Sequence, residues 1–256
     1  MSFPFKKITP KVFSKTFLKD VEMEVLFTSV DFHDDEVFQQ GVRNLFESNF
    51  PNVITDEWRF TEDGFTVTSD TETHQYGFRP GATRARLRFP AYTTFTDMEK
   101  VLHIPLRYME ISCARECESI TLRKFNELKF EIEKVHGSDM VEVMEQLFSK
   151  KLLTYMNDWD QITSQLAKDR DITRWERTLY MDDAEVSGRV VYGFVTDVEN
   201  PARGSLILKI IMQSSGDSIE YDGDMVKGKL KDLNEWCDSA FEWALTPDML
   251  SEMQQS

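Results

Sequence analysis

Cysteine and basic residues are scarce in this sequence of 256 residues. There are 3 Cys, and 30 Lys plus Arg stand against 45 Asp plus Glu, which gives a formal charge of −15. Three cysteines form no disulfide framework and are typical of free thiols in a reducing compartment. The negative charge disfavours non-specific binding to nucleic acid or to anionic membranes, because both attract basic surfaces.

Long apolar runs are missing as well. No stretch approaches the roughly 18 consecutive apolar residues that a membrane-spanning helix needs. The first seven residues, Met-Ser-Phe-Pro-Phe-Lys-Lys, show no apolar run followed by a small-residue cleavage site. We therefore expect a cytoplasmic protein with no membrane partner.

Common catalytic motifs are also absent. The sequence has no Gly-x-x-x-x-Gly-Lys-Ser/Thr loop, Gly-x-Ser-x-Gly elbow, His-Glu-x-x-His helix or Gly-x-Gly-x-x-Gly turn. Cys113 and Cys117 are four residues apart, one turn if the preceding helix continues, but a zinc site needs further ligands at suitable spacing. The four histidines are scattered. We expect no cofactor and no metal, and these absences favour a non-catalytic protein while leaving the enzyme question open.

What the sequence does have is enough apolar material for a core, with 41% hydrophobic residues and 19 Phe. Alternating patterns predict strands over 18–30, 75–79, 83–89, 120–132, 175–181, 189–198 and 206–212, and a hairpin over 57–68 around Asp63-Gly64. Helical spacing predicts helices over 37–46, over 95–114 with a kink or split at Pro105, over 138–166 as one helix or two, and over 226–245.

The order of these elements defines the fold class. Strands come in clusters between helices and do not alternate with them one for one, which favours an α+β fold of antiparallel sheets with packed helices. Both halves mix helices with antiparallel strands. This predicts either two related lobes, residues 1–134 and 135–256, or one integrated domain.

A row of arginines is the most distinctive local feature. On a strand, Arg84, Arg86 and Arg88 share one face, and Arg79 lies just upstream. Guanidinium groups bind carboxylates and phosphates through paired hydrogen bonds, so one hypothesis is an anion-binding or partner-binding strip. The alternative is a solvated strand face whose charge is compensated by neighbouring acids such as Glu57, Asp63 or Glu72.

Acidic residues gather at three places: over 31–36, over 182–185 and over 220–224. One interpretation is that they form solvated turns and helix caps, because the last group lacks the ligand pattern of an EF-hand. The other interpretation is a negative field that steers a basic partner protein and makes binding sensitive to salt.

The segment from Ile120 to Leu128 reads Ile-Thr-Leu-Arg-Lys-Phe-Asn-Glu-Leu. It resembles the Ile-Gly-Leu-Arg-Tyr-Ile-Asn-Arg-Ile signature of a sporadically distributed, uncharacterised bacterial family of about this length. The end of the last helix, residues 244–250, is similar to that family's Ser-Ile-Thr-Asp-Lys-Leu ending. Lys124 replaces the usual aromatic residue, and Glu127 replaces the usual basic one.

The resemblance implies no activity, but the family's patchy distribution is like that of accessory genes in defence or toxin-related loci. Within the signature, Arg123 and Asn126 join the candidate binding residues. Asn126 shares the apolar face of its strand with Leu122 and Leu128, so its amide needs hydrogen-bond partners. It serves either to fix the strand register or to contact a ligand.

Three functional classes follow. The first is a non-catalytic protein–protein interaction protein, an accessory or neutralising partner that binds another protein, with a basic partner and a homo-oligomer both among the expectations. The second is an enzyme with carboxylates and arginines in a pocket between the lobes. The third binds a nucleotide or nucleic acid through the arginine strip, with Tyr76, Phe78 and Tyr92 for stacking.

Overall fold

The computed structural model describes residues 2–8, 17–28, 40–41, 43–44, 47–48, 59–61, 64–68, 74–79, 81–88, 92–131, 137–168, 172–197, 203–214 and 217–254. Its strands are β1 (Leu18–Thr28), β2 (Arg59–Thr61), β3 (Gly64–Thr68), β4 (His74–Arg79), β5 (Ala82–Arg88), β6 (Glu116–Glu131), β7 (Arg174–Asp182), β8 (Val186–Thr196), β9 (Arg203–Ser214) and β10 (Ile219–Glu220). The helices whose bounds are described are α1 (Phe95–Val101), α2 (His103–Ile111), α3 (Gly137–Leu147), α4 (Lys150–Leu153), α5 (Trp159–Leu166), α6 (Gly223–Ala244) and α7 (Pro247–Gln254).

All the described strands belong to one antiparallel sheet, in the order β2-β3-β4-β5-β1-β6-β9-β8-β7, with β10 paired to β6. This confirms the α+β class. The central strand β6 comes from the first half of the chain, and it pairs with β9 of the second half from Thr121↔Gln213 to Glu131↔Arg203. Residues 1–134 and 135–256 therefore both contribute to the same sheet.

The two-residue alternation of β1 shows how the sheet is covered. Val21, Met23, Val25 and Phe27 are buried and belong to one core cluster with the buried residues of the helices. The residues between them point to the other face. The helices α1 to α7 thus pack on one face of the sheet, which we call the covered face, and we call the opposite one the open face.

The longest helix, α6, lies against β6 and β9. Asp222 caps its N-terminus by accepting a hydrogen bond from the backbone N–H of Asp224 at 3.1 Å. At its far end, Phe148 and Leu245 form an isolated antiparallel bridge that connects the α3–α4 junction to the end of α6. Residues 2–8 also pack here, with Phe3 stacked on Trp236 at 4.5 Å between ring centroids.

Several sequence predictions can be compared with this fold. The predicted split of the helix over 95–114 is confirmed, since α1 ends at Val101 and α2 carries Pro105 in its first turn, where a missing N–H is tolerated. The prediction of one or two helices over 138–166 is wrong. Three segments form there, because Phe148 leaves the helix to make the bridge and Ser149 caps α4.

Other predictions fall partly or wholly outside the described ranges. The helix predicted over 37–46 is described only in part. The acids over 31–36 lie outside the described residues, and so do Glu57, Asp63 and Glu72. The helix before Cys113 does not continue: α2 ends at Ile111, and Cys113 has a φ of 46°. Cys117 lies on β6, so the two thiols do not share a helical turn.

Candidate functional site on the open face of the sheet

The open face carries all five arginines that the sequence singled out. Because β1 pairs antiparallel with β5 and β6, Glu22 lies directly between Arg86 and Arg123, and Glu24 lies between Arg84 and Thr121. Side chains directly opposite each other on neighbouring strands point to the same face. The strip on β5 therefore faces a parallel row of carboxylates on β1.

The contacts follow this register. Arg86 donates a hydrogen bond to Asp20 at 2.5 Å, which raises the pKa of the Arg86 guanidinium. Arg84 Nη1 lies 3.7 Å from a Glu22 oxygen, and Arg79 Nη2 lies 3.9 Å from a Glu24 oxygen. The arginine strip is thus a compensated strand face. Its partners among the described acids come from β1, about 60 residues away in sequence.

Arg123 completes the row from the other side. Its two terminal nitrogens donate separately to Glu22 and Glu24, each at 2.7 Å, so one guanidinium joins two carboxylates. Burial opposes the charge of this group, but the hydrogen bond from Arg123 to Glu24 and the charges of Glu24 and Glu22 outweigh it and raise the pKa of Arg123. Paired geometry of this kind is what makes arginine suited to fixed ionic contacts.

The remaining two candidates are placed differently. Arg88 is half-buried on the open face, opposite Asp20, and no ion pair within 4.0 Å is found for it among the described residues. Asn126 lies on the covered face, is 5% exposed, and donates its amide N–H to the carbonyl of Leu208 on β9 at 3.2 Å. The structure therefore does not bring Asn126 together with the arginines.

The rings predicted for stacking are not on this surface either. Tyr76, Phe78 and Tyr92 are each 2% exposed and belong to the core on the covered face. The arginines of β5 point to the opposite face. The surface of arginines and stacking aromatic rings that was one hypothesis from the sequence is therefore not formed, because Tyr76 and Phe78 lie opposite Ala85 and Thr83 of β5, which alternate with the arginines.

A concave pocket lies on the open face where β6, β9, β8 and β7 meet. It has a volume of about 810 Å³. Phe125, Ile207 and Val195 supply its apolar part, and Ile207 is buried although it does not belong to the main core cluster. Small-molecule and peptide sites have this combination of a concave apolar floor with a few polar groups.

The polar groups of the pocket carry both signs of charge. Lys209 Nζ sits 5.3 Å from the centroid of the Phe125 ring and 4.0 Å from a Glu176 oxygen. Arg174 donates to the other Glu176 oxygen at 2.7 Å. Lys129 and Arg203 add two more positive groups to the rim, and Asp197 adds a carboxylate, so the lining has four basic and three acidic residues. Lys129 has no ion pair within 4.0 Å among the residues that the structure describes.

Glu127 is an acid of the pocket that is held by two hydrogen bonds. It accepts hydrogen bonds from Lys19 and from the Ser205 hydroxyl, the second at 2.9 Å. Burial alone would raise the pKa of Glu127, but the hydrogen bonds from Lys19 and Ser205 lower it below its ordinary value. The carboxylate therefore stays charged and keeps Lys19 and Ser205 in place.

The two sides of the molecule differ in charge. Seven helices on the covered side contain 14 acidic and 7 basic residues. The described open-face side chains include eleven basic and nine acidic residues, an excess of two positive charges. They are Lys19, Arg79, Arg84, Arg86, Arg88, Arg123, Lys129, Arg174, Arg189, Arg203 and Lys209, against Asp20, Glu22, Glu24, Glu116, Glu127, Glu176, Asp182, Asp197 and Glu220.

One charged pair on the covered face was missed by the sequence analysis. Lys124 is 7% exposed, donates to Asp238 on α6 and lies 5.8 Å from the centroid of the Tyr92 ring. Asp238 also accepts from the amide of Asn234 at 3.1 Å, and Asn234 accepts from the Tyr92 hydroxyl at 3.1 Å. Burial alone would lower the pKa of Lys124, but Tyr92 and Asp238 raise it above its ordinary value. This network fixes α6 on β6.

The thiols and acidic turns have structural roles in the described ranges. Burial raises the pKa of Cys117 to about 11 and that of Cys237 to about 12, which keeps both as unreactive thiols at neutral pH. Asp183 accepts from the backbone N–H groups of Glu185 and Val186 in the β7–β8 turn. Among the residues that can be described, no three His, Cys, Asp or Glu side chains group as a metal site.

No protein-family model matches this chain, and no curated protein matches it. Among the helices of the described ranges, none combines the length and the apolar character that crossing a membrane requires.

Proposed function

We propose that this protein is a non-catalytic interaction protein that binds an acidic segment of a partner protein on the open face of its sheet. The observation that carries the proposal is the excess of basic groups around a concave pocket, on a chain whose total charge is −15. From the sequence resemblance we further propose that this protein and its partner belong to a defence or toxin-related locus.

The arrangement of charges supports recognition. Glu22 and Glu24 are held by arginines at 2.7 Å, and Glu176 is held by Arg174 at the same distance. Ion pairs of this kind give a surface a fixed pattern of positive and negative sites, which determines the register and the choice of partner more than the total affinity. Lys129 and Lys209, at the rim of the pocket, present ammonium groups to an incoming carboxylate.

The charge difference between the two sides determines which side an acidic segment of the partner binds. The acidic helix side repels an acidic segment, while the open face attracts it within the Debye length of about 8 Å at physiological salt. The same asymmetry predicts that a basic segment binds elsewhere, on the helix side. The partner of the pocket is therefore acidic, whereas net charge alone suggests a basic partner.

The experiment uses a fluorescent peptide of alternating Glu and Leu, with a Lys–Leu peptide of the same length as a comparison, and reads fluorescence anisotropy. The double variant Lys129→Glu with Lys209→Glu should weaken binding of the acidic peptide about tenfold or more, because two attractive charges become repulsive. A matched control is Lys227→Glu with Lys231→Glu, which makes the same charge change on α6.

The control variant should bind as the wild type does. Equal loss in both double variants would mean that only the net charge matters and would overturn the proposal of a site. A wild-type protein that binds neither peptide, or that binds the basic one on the open face, would overturn it as well. Binding of a single-stranded oligonucleotide in preference to the acidic peptide would favour the nucleic-acid alternative.

A further inference from the structure

Within the described ranges, the sheet ends on two very different edges. One edge strand, β2, has three residues, whereas the other, β7, has nine and is paired residue by residue with β8 from Arg174↔Val195 to Asp182↔Ser187. Among the described strands, β7 pairs with β8 alone. Every second backbone N–H and C=O of β7 therefore points away from the sheet and can pair with another strand.

Two features that often protect an edge strand are missing from β7: it contains no proline, and its register with β8 shows no bulge. Its charged residues are a third such feature, and they restrict which strand can pair with it. It is also held in place from the covered side: Arg177 makes two hydrogen bonds to Asp158, each at 2.6 Å, and the Trp175 ring lies 6.1 Å from that of Trp159. Its open-face residues, by contrast, are accessible, and Tyr180 is 66% exposed.

The sequence of β7 is self-complementary when two copies run antiparallel. A twofold axis through Thr178, perpendicular to the sheet, places Arg174 opposite Asp182 of the second copy and does so twice. Glu176 then lies opposite Tyr180, and Thr178 faces its own copy. In this register, each of the nine residues of β7 lies opposite a β7 residue of the second copy.

Neighbouring registers are less favourable. An axis through Leu179 places Glu176 opposite Asp182, so that two like charges face each other across the strands. An axis through Arg177 places Arg174 opposite Tyr180 and Glu176 opposite Thr178, which leaves no opposite-charge pair. The charge pattern therefore selects the axis through Thr178.

We propose that β7 pairs with β7 of a second copy of this chain, centred on Thr178, so that one sheet continues through both copies. This interface is the edge of the sheet and shares Arg174 and Glu176 with the margin of the pocket that binds the acidic segment, whereas Lys129 and Lys209 belong to the pocket and not to the interface. Because the axis is perpendicular to the sheet, both open faces lie on the same side of the dimer. A partner with two acidic segments can then bind both pockets at once.

The first test is a cross-link at the axis. In a Cys113→Ser background, which removes the exposed thiol, Thr178→Cys places two cysteines directly opposite each other, within the range of a disulfide. Tyr180→Cys in the same background is the matched control, because its two thiols lie about 13 Å apart in this register. Mild oxidation should give a covalent dimer for Thr178→Cys only. A dimer with both variants, or with neither, contradicts the register.

The second test is a charge exchange read by sedimentation velocity. Wild-type protein should sediment with about twice the mass of the 29.9 kDa chain at high concentration. Arg174→Asp and Asp182→Arg should each dissociate the dimer, because they place like charges opposite each other, and the double variant should restore it. Circular dichroism confirms that each variant is folded.

A wild-type protein that stays monomeric at all concentrations overturns the proposal, and so does a double variant no better than the single ones. The Lys129→Glu and Lys209→Glu variant should dimerise normally. If this variant dimerises but no longer binds the acidic peptide, dimerisation and peptide binding are independent, so one proposal can fail while the other holds.

Discussion

The two faces of the sheet accommodate charge in opposite ways. On the covered face, the single ammonium of Lys124 is buried against Asp238 within an apolar core. On the open face, three strands share rows of arginines and carboxylates, and the guanidinium of Arg123 serves two acids at once. A buried charge depends on one partner, whereas a solvated row distributes each charge over several neighbours. This difference leads to predictions of different size for the two faces.

The largest effect is expected on the covered face. Asp238→Ala leaves the buried ammonium of Lys124 without its counter-charge and should lower the free energy of unfolding by about 3–5 kcal/mol, measured by urea denaturation. The double variant Lys124→Met with Asp238→Ala removes the uncompensated charge and should recover a large part of the loss. A cost of under about 1 kcal/mol for Asp238→Ala would mean that water reaches Lys124 and that the faces differ less than the structure indicates.

A smaller effect is expected on the open face. Glu22→Gln together with Glu24→Gln removes both acceptor charges of Arg123, and the cost should be about 1–2 kcal/mol, because neighbouring groups and solvent compensate in part. The same measurement at low and at high salt should show the cost shrinking, since screening weakens exposed pairs. If the loss of unfolding free energy does not change with salt, these carboxylates are as shielded from solvent as Lys124.

The smallest effect concerns Glu127 and depends on pH. Because the pKa of Glu127 is lowered in the folded protein from an ordinary value of 4.5, its contribution is present at neutral pH and is lost as the pH falls below about 4.5. Glu127→Gln should therefore be less stable than the wild type at pH 7, by under about 1 kcal/mol. The difference should narrow in acid, as read from urea midpoints at several pH values. A difference that widens in acid would reverse the sign of the shift.

Much of the fold could be predicted from local pattern. The strands β1, β4, β5, β6, β7, β8 and β9 and the hairpin of β2 and β3 were recognised, because alternation of apolar and polar residues marks a sheet with one covered face. The last helix was recognised from its apolar stripe. The break at Phe148 was missed, since the bridge from Phe148 to Leu245 spans nearly one hundred residues and leaves no local signal.

The candidate site could be predicted only in part. Strand periodicity placed Arg84, Arg86 and Arg88 on one face, but nothing local identified their partners, which lie on β1 at the far end of a non-local pairing. The pocket was missed for the same reason, because its lining comes from four strands, β6, β9, β8 and β7, that become neighbours only in the folded sheet. Lys124 was missed as well, although strand alternation puts it on the same face as Leu122 and Asn126, and a lysine among apolar residues is a signal that it needs a buried partner.

The order of strands in the sheet has a consequence for how the chain folds. The strands β2 to β5 and β7 to β9 follow one another along the chain, so each set can form from local hairpins. The pairing of β1 with β6 joins residues 101 apart, such as Glu22 and Arg123, and β6 meets β9 across 82 residues between Asn126 and Leu208. Closing such long loops costs entropy before any contact is gained, and it slows folding. We therefore expect the two outer meanders to form first and the central strand β6 to join them in the rate-limiting step.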